Sequence, residues 1–299
     1  MVAHASLREI VGANTLGTVA GSDLAPALSR TFTLGARRAA ETFSAPKQNL
    51  LRRWIGYALG AGVLVGLGFA VYHAARELSG LHREDYRELL ESAALTFLRV
   101  NTALILGALW TVPVGVAIAS NARLARIAQP LVQMAASIPA TALFPIILLF
   151  LLRLRGGLEI AAMLLMLLGT QWYILFNVIA GAMAIPTDLK EAAQIYRFGS
   201  WDRWRHLILP GIFPYLVTGM VTASGGAWNA SIVAEYFHFQ GRIVSTAGLG
   251  STISSASDAG RFDVLLASTL IMATIVVLIN RLLWRRLYRL ASSRFKLET

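Results

Sequence analysis

The sequence predicts an all-α polytopic membrane protein with about six transmembrane helices. Of its 299 residues, 56% are hydrophobic and only 14% charged, a balance far from that of soluble domains. Six apolar runs, 54–75, 95–120, 134–152, 158–183, 213–234 and 262–280, are long enough, or nearly so, to cross a hydrocarbon layer of roughly 30 Å, which takes about 20 helical residues. The runs are continuously apolar where barrel strands would alternate, so helices are expected.

Basic residues orient these spans. Nineteen of the 27 Lys and Arg fall in the segment 1–53, the 121–132 connection, the 186–214 loop and the tail after residue 280; seven lie in the other three connections. The asymmetry places both termini and the 186–214 loop in the cytoplasm. It also explains the net charge of +11 without nucleic acid, because the charge flanks the spans. The chain has no cysteine and five scattered histidines, which excludes disulfides and thiolate metal sites and offers no ligand spacing.

Residues 1–53 form a polar cytoplasmic segment, expected to be partly helical. Arg37 and Arg38 match the pair of a twin-arginine signal, but no apolar core follows closely and the first span, 54–75, is too long for one. That span carries Gly56, Gly60, Gly62, Gly66 and Gly68, small-xxx-small pairs that favour close packing within the subunit. The charged stretch REDYRELLE after it is expected as a short helix at the outer surface. Five further spans make a core over 95–283. The first of these holds Arg99 and Asn101 near its outer end. Arg99 can draw an anion to the outer mouth or snorkel to the surface, and its shallow depth favours snorkelling. Pro139 and Pro145 predict kinks in the next span.

The 186–214 loop is the longest polar interruption in the second half. Thr187 is a candidate N-cap, Asp188 lies in the first turn, and Gly199 can end the helix. Leu189, Ala193 and Tyr196 then share one face at i, i+4 and i+7, and with Ala192 form a small knob that a second protein can approach closely. Glu191 on the polar flank can reach a basic partner group. The same pattern suits a segment resting on lipid, and the residues alone leave both readings open. Ser200 is placed to cap a second short helix through Arg205, with Pro210 and Pro214 redirecting the chain into the next span.

Uncharged polarity gathers in the last spans. Thr170, Gln171, Trp172 and Asn177 lie in one; Thr218, Thr222, Gly225 and Asn229 fall on a single face of the next. That face suits a polar passage with Trp228 as a neighbouring gate, or hydrogen bonding between helices, with a slight preference for the passage. The Gly- and Ser-rich outer loop 235–261 can bend back into the outer mouth, meet another protein, or form an ordinary flexible loop. The segment 284–299 is a basic cytoplasmic tail.

Several chemistries are missing. No phosphate-binding GxxxxGK[ST] loop, HExxH or catalytic Ser-His-Asp set occurs. The acids nearest to lipid, Glu159, Glu235 and Asp263, sit at span ends. An ion-coupled secondary transporter, the main rival, would carry an ionisable relay near the midplane. Its absence favours a non-catalytic passage driven by a partner.

The EAA at 191–193, with Leu209 and Pro210 following at the end of the loop, resembles the EAA loop of binding-protein-dependent ABC transporter permeases, with Arg197 standing where that family has a glycine. The likeness runs through the five spans after Leu95, and the tail NRLLWRRLYRLASSRF is similar to the nitrate/sulfonate/taurine/bicarbonate branch, including members in which two permease halves are fused. The resemblance implies a type I ABC importer permease fold. It implies that Glu191, Ala192, Ala193, Tyr196, Gly199, Leu209 and Pro210 couple to a cytoplasmic ATPase that carries the ATP and Mg, this chain binding no cofactor. It further implies a second permease subunit or half, a periplasmic or lipid-anchored solute-binding protein, a bacterial inner membrane, and a small, anionic solute. Arg99, Asn177, Thr222, Trp228 and Asn229 are the candidates for the translocation path.

Overall fold

The computed structural model describes residues 46–151 and 153–294; most of the expected cytoplasmic N-terminal segment, including Arg37 and Arg38, lies outside them. The chain divides into two compact units, Met1–Ala70 and Val71–Thr299. In the first, the described residues belong to helix α1 (Pro46–Leu78), which runs on past the boundary. From residue 52 to 70 every side chain is exposed. Within this unit, a Cβ added at Gly56, Gly60, Gly62, Gly66 or Gly68 meets nothing within 4 Å. A helix of 33 residues closes its own backbone hydrogen bonds, as a segment crossing lipid must.

The second unit opens with α2 (Arg83–Ser120), 38 residues long. REDYRELLE is therefore the first part of the spanning helix, not a separate surface helix. His82 N–H donates to the Asp85 carboxylate at 2.8 Å, and Glu84 and Asp85 in the first turn suit the helix dipole. At 1.5 Å per residue α2 reaches about 57 Å, well beyond the hydrocarbon thickness.

The next span is broken. Helices α3 (Ala122–Ser137) and α4 (Ala140–Leu151) meet at 78°. Pro139 forces its predecessor out of the helical region, and Ile138 is accordingly extended (φ −73°, ψ 121°). The expected kink at Pro139 is thus a full break, whereas Pro145 is accommodated inside α4. Among the described residues, five helices are long and apolar enough to cross a membrane, six if the bent pair counts as one span.

Helix α5 (Gly157–Met183) packs against both α2 and α8 (Leu209–Glu235) and forms the middle of the core. Glycines set the separation. A Cβ at Gly115 would lie 2.8 Å from Val178 Cγ1, and one at Gly219 would lie 3.0 Å from the Tyr173 carbonyl. Side chains at either position would push the helices apart.

Between α5 and α8 lie α6 (Thr187–Ile195), α7 (Ser200–Arg203) and a π-helical turn, Trp204–Ile208. Pro210 and Pro214 do not redirect the chain. Instead α7, the π-turn and α8 make one continuous helical run, Ser200–Glu235. The π-turn carries the Leu209 N–H to the Trp204 carbonyl, and this wider turn lies directly before Pro210, which brings no N–H to the continuing ladder and needs room in the preceding turn.

The Gly- and Ser-rich segment 235–261 has regular structure. Strands β1 (Tyr236–Phe239) and β2 (Arg242–Ser245) form an antiparallel hairpin around Gln240 and Gly241, both at positive φ as a tight primed turn requires. Helix α9 (Leu249–Asp258) then packs on α8, α2 and α10 (Phe262–Ile279). Tyr236 Oη donates to Asp258 at 2.7 Å, a bond that holds the phenol above its ordinary pKa. Arg261 bridges Asp85 and Asp263 at 3.2 and 3.0 Å. A second π-turn (Asn280–Trp284) leads to α11 (Arg285–Arg294). The basic tail is thus helical through Arg294, and Tyr288 Oη donates to Thr218 Oγ1 of α8 at 3.1 Å.

Candidate functional site: the α6–α8 loop and the polar face of α8

Helix α6 has two faces. Lys190, Ala193 and Gln194 lie on one at i, i+3 and i+4; Ala193 is 5% exposed and seats this face on the body of the protein. Glu191 and Ile195 lie on the other, and Ile195 is 78% exposed. The expected stripe of Leu189, Ala193 and Tyr196 is therefore split, with Ala193 turned inward and Leu189 and Tyr196 exposed. Ala192 is half-buried. Trp201, which the sequence pattern did not single out, is 74% exposed. Large exposed apolar groups on a polar loop are the signal that could have found it.

The end of α6 is a Schellman motif. Phe198 N–H donates to the Ala193 carbonyl and Arg197 N–H to that of Gln194, at 2.9 and 3.0 Å. Arg197 takes the left-handed position, φ 50°, at the place where the resembled loop has its glycine. Gly199 has φ −61° and precedes α7 in extended backbone, so it is not the residue that ends the helix. Thr187 is the first residue of α6, and no side chain caps it. An L-residue at φ 50° is strained. Arg197→Gly is expected to stabilise the chain by about 0.5–1 kcal/mol, the relief being partly offset by unfolded-state entropy, and to raise the thermal unfolding midpoint. A lowered midpoint would show that the arginine side chain holds the loop. Leu209 is 43% exposed and Pro210 half-buried, on the last residues before the spanning part of α8.

On α8, the predicted stripe of Thr218, Thr222, Gly225 and Asn229 is exposed along its whole length. The hydroxyls of Thr218 and Thr222 donate to carbonyls one turn back at 3.1 and 3.0 Å; the Thr218 oxygen also accepts from Tyr288. Trp228, the expected neighbour of the passage, is 3% exposed and lies in the core, and its Nε1 has no hydrogen-bond partner among the described residues. Asn177 is half-buried and donates to the Tyr173 carbonyl at 2.8 Å. Thr170 and Gln171 are buried.

Arg99 does not snorkel. Its guanidinium is buried, ion-paired with Glu235 through Nη1 and Oε1, and its Nη2 donates to the Ala247 carbonyl at 3.2 Å. Glu235, fully buried, also accepts from Thr96 Oγ1 at 2.9 Å and Gly250 N–H at 2.9 Å, while the Thr96 oxygen accepts from Leu249 N–H at 2.8 Å. The network ties the hairpin and α9 to α2 and the end of α8. Arg99 is covered on its far side by the segment between β2 and α9, where Thr246 and Ala247 meet its Nη2. Gly248 and Gly250 give the carboxylate room, since a Cβ at either would collide with Glu235 or with the α8 backbone. Among the described residues no group of three His, Cys, Asp or Glu side chains is placed to hold a metal ion.

Known proteins share this architecture. A chain of the MetNI methionine ABC transporter in an inward-facing conformation superposes with a TM-score of 0.58 at 21% identity, covering 71% of this chain and 99% of that one; the two have the same type I importer fold. The taurine transport system permease protein TauC of Escherichia coli is 27% identical over 202 residues, 67% of this chain and 70% of that one. The bicarbonate transport system permease protein CmpB of Synechococcus elongatus is 30% identical over 143 residues, 48% of this chain and 49% of that one. The model of the binding-protein-dependent transport system inner membrane component matches residues 111–296, more than half of the chain and the whole of the α6–α8 region. The chain therefore belongs to that family, the non-catalytic, multi-pass permease subunits of ABC importers.

Proposed function

We propose that this permease, paired with a second permease subunit or half, forms the passage for a small anion across a bacterial inner membrane. The solute arrives on a periplasmic or lipid-anchored binding protein, both termini are cytoplasmic, and a cytoplasmic ATPase carrying ATP and Mg docks on α6. The observation that carries this reading is the outward face of α6, where Glu191 and Ile195 stand free while Ala193 anchors the helix from behind. A relative named for bicarbonate supports an anionic solute, and one named for taurine supports a solute that carries an anionic oxygen group.

The geometry suggests how a push on α6 travels. The Schellman turn joins α6 to the continuous run Ser200–Glu235, which at 1.5 Å per residue is a rod of about 54 Å. Its far end is held by the Arg99–Glu235 pair. Displacing α6 therefore tilts α8, whose exposed Thr222 and Asn229 lie on the face proposed to line the passage. The exposed polar stripe would be costly against lipid and is suited to water or a second subunit.

The test is affinity purification of the tagged chain from its own membranes in mild detergent. Wild type is expected to bring down an ABC ATPase and Glu191→Lys to lose it while still inserting. Recovery of the ATPase unchanged with the variant would refute a coupling role for this face.

A further inference from the structure

Behind α6, on the face opposite Ile195, lies a cavity of about 220 Å³. It is a partly open cleft bounded by the ends of α2 and α5, one face of α6 and the π-turn before α8, with Lys190 half-buried at its wall and Gln194 and Arg203 exposed at its mouth. Its apolar walls include Val116, Ala182 and Leu207, and three of its lining side chains are Lys190, Gln194 and Arg203. No carboxylate lines it, and none of these three side chains has a hydrogen-bond or ion-pair partner among the described residues. Lys190 and Gln194 are held toward the cavity because they share the α6 face that Ala193 seats.

The charge balance indicates what fits. Two helix ends, those of α2 at Ser120 and α5 at Met183, point at this region, and their dipoles together amount to roughly one negative charge. Lys190 and Arg203 supply two positive charges. About one positive charge is left over, with the ammonium, guanidinium and carboxamide donors all without a partner among the described residues.

We propose that this cavity binds a monovalent oxyanion through Lys190, Arg203 and Gln194, and that the bound anion braces α6 against the ends of α2 and α5. The chemistry is shared by a free planar or tetrahedral oxyanion and by the phosphodiester of a phospholipid headgroup. Because the site lies between α6 and the spans, its occupancy sets how far α6 moves independently of them. Only this last consequence rests on the coupling role proposed above.

The experiment uses the full chain in maltoside detergent, without ATPase, so the result does not depend on whether α6 docks one. Amide hydrogen exchange in 187–195 is followed while sodium nitrate replaces sodium chloride at constant ionic strength, and in a parallel arm while phosphatidylglycerol is added in chloride. Nitrate is expected to slow exchange in α6. Its half-saturating concentration should rise at least about tenfold in Lys190→Gln and in Arg203→Gln, the loss of one charge-assisted bond, and stay near wild type in Lys190→Arg. Protection by phosphatidylglycerol but not nitrate, lost in the same variants, assigns the oxyanion to lipid. Equal exchange in nitrate, chloride and lipid overturns the proposal, as does protection that survives in the Lys190→Gln/Arg203→Gln double variant.

Discussion

Glu235→Leu is expected to destabilise the chain by about 3–5 kcal/mol, because it leaves the Arg99 guanidinium buried without its counter-ion. Arg99→Met should cost less: Glu235 would still accept from Thr96 and Gly250. The double variant Arg99→Met/Glu235→Leu should recover most of the loss, since two apolar groups in the same volume have no charge to desolvate. Thermal unfolding of the four proteins in one detergent gives the coupling energy directly. A double variant as unstable as Glu235→Leu alone would mean that the pair is not what holds the hairpin and α9 in place. The effect on transport separates anchoring from anion attraction. If Arg99 only anchors, the double variant keeps uptake; if it draws the solute, uptake falls although the fold is restored.

Ile195→Asp is expected to lower ATP-driven uptake at least about tenfold with little change in stability. The residue is 78% exposed, and substitutions at exposed sites usually stay within about 0.5 kcal/mol. Tenfold corresponds to roughly 1.4 kcal/mol of lost coupling, which one buried apolar side chain at a docking interface can supply. Ala193→Leu should behave in the opposite way. Ala193 is 5% exposed, so added volume there unseats α6 and lowers the unfolding midpoint before any partner is involved. Uptake and midpoint measured on both variants decide the issue: equal uptake by Ile195→Asp and wild type would remove this face from coupling.

Helix limits such as those of α2 and of the Ser200–Glu235 run were not legible in the sequence, whereas the membrane class, the existence of five or six apolar spans and the polar α6–α8 loop were. Each depends on local composition: twenty apolar residues in a row can satisfy their backbone only as a helix in lipid, and a polar loop between two such runs must lie outside. The polar stripe of α8 was legible for the same reason, since Thr218, Thr222, Gly225 and Asn229 follow the helical period and are exposed together. What only the tertiary structure decided depends on contacts across the chain. Trp228 has the period of a passage neighbour but is taken into the core. Arg99 has the depth of a snorkelling residue but meets Glu235, 136 positions away, and the Thr246–Ala247 segment that precedes α9. Ala193 shares a helical face with Leu189 and Tyr196 in sequence, yet α6 is oriented by what it packs on, and Ala193 alone is seated. Local periodicity says which residues share a face; which way that face turns is set by packing and by the cost of leaving a charge unpaired away from water.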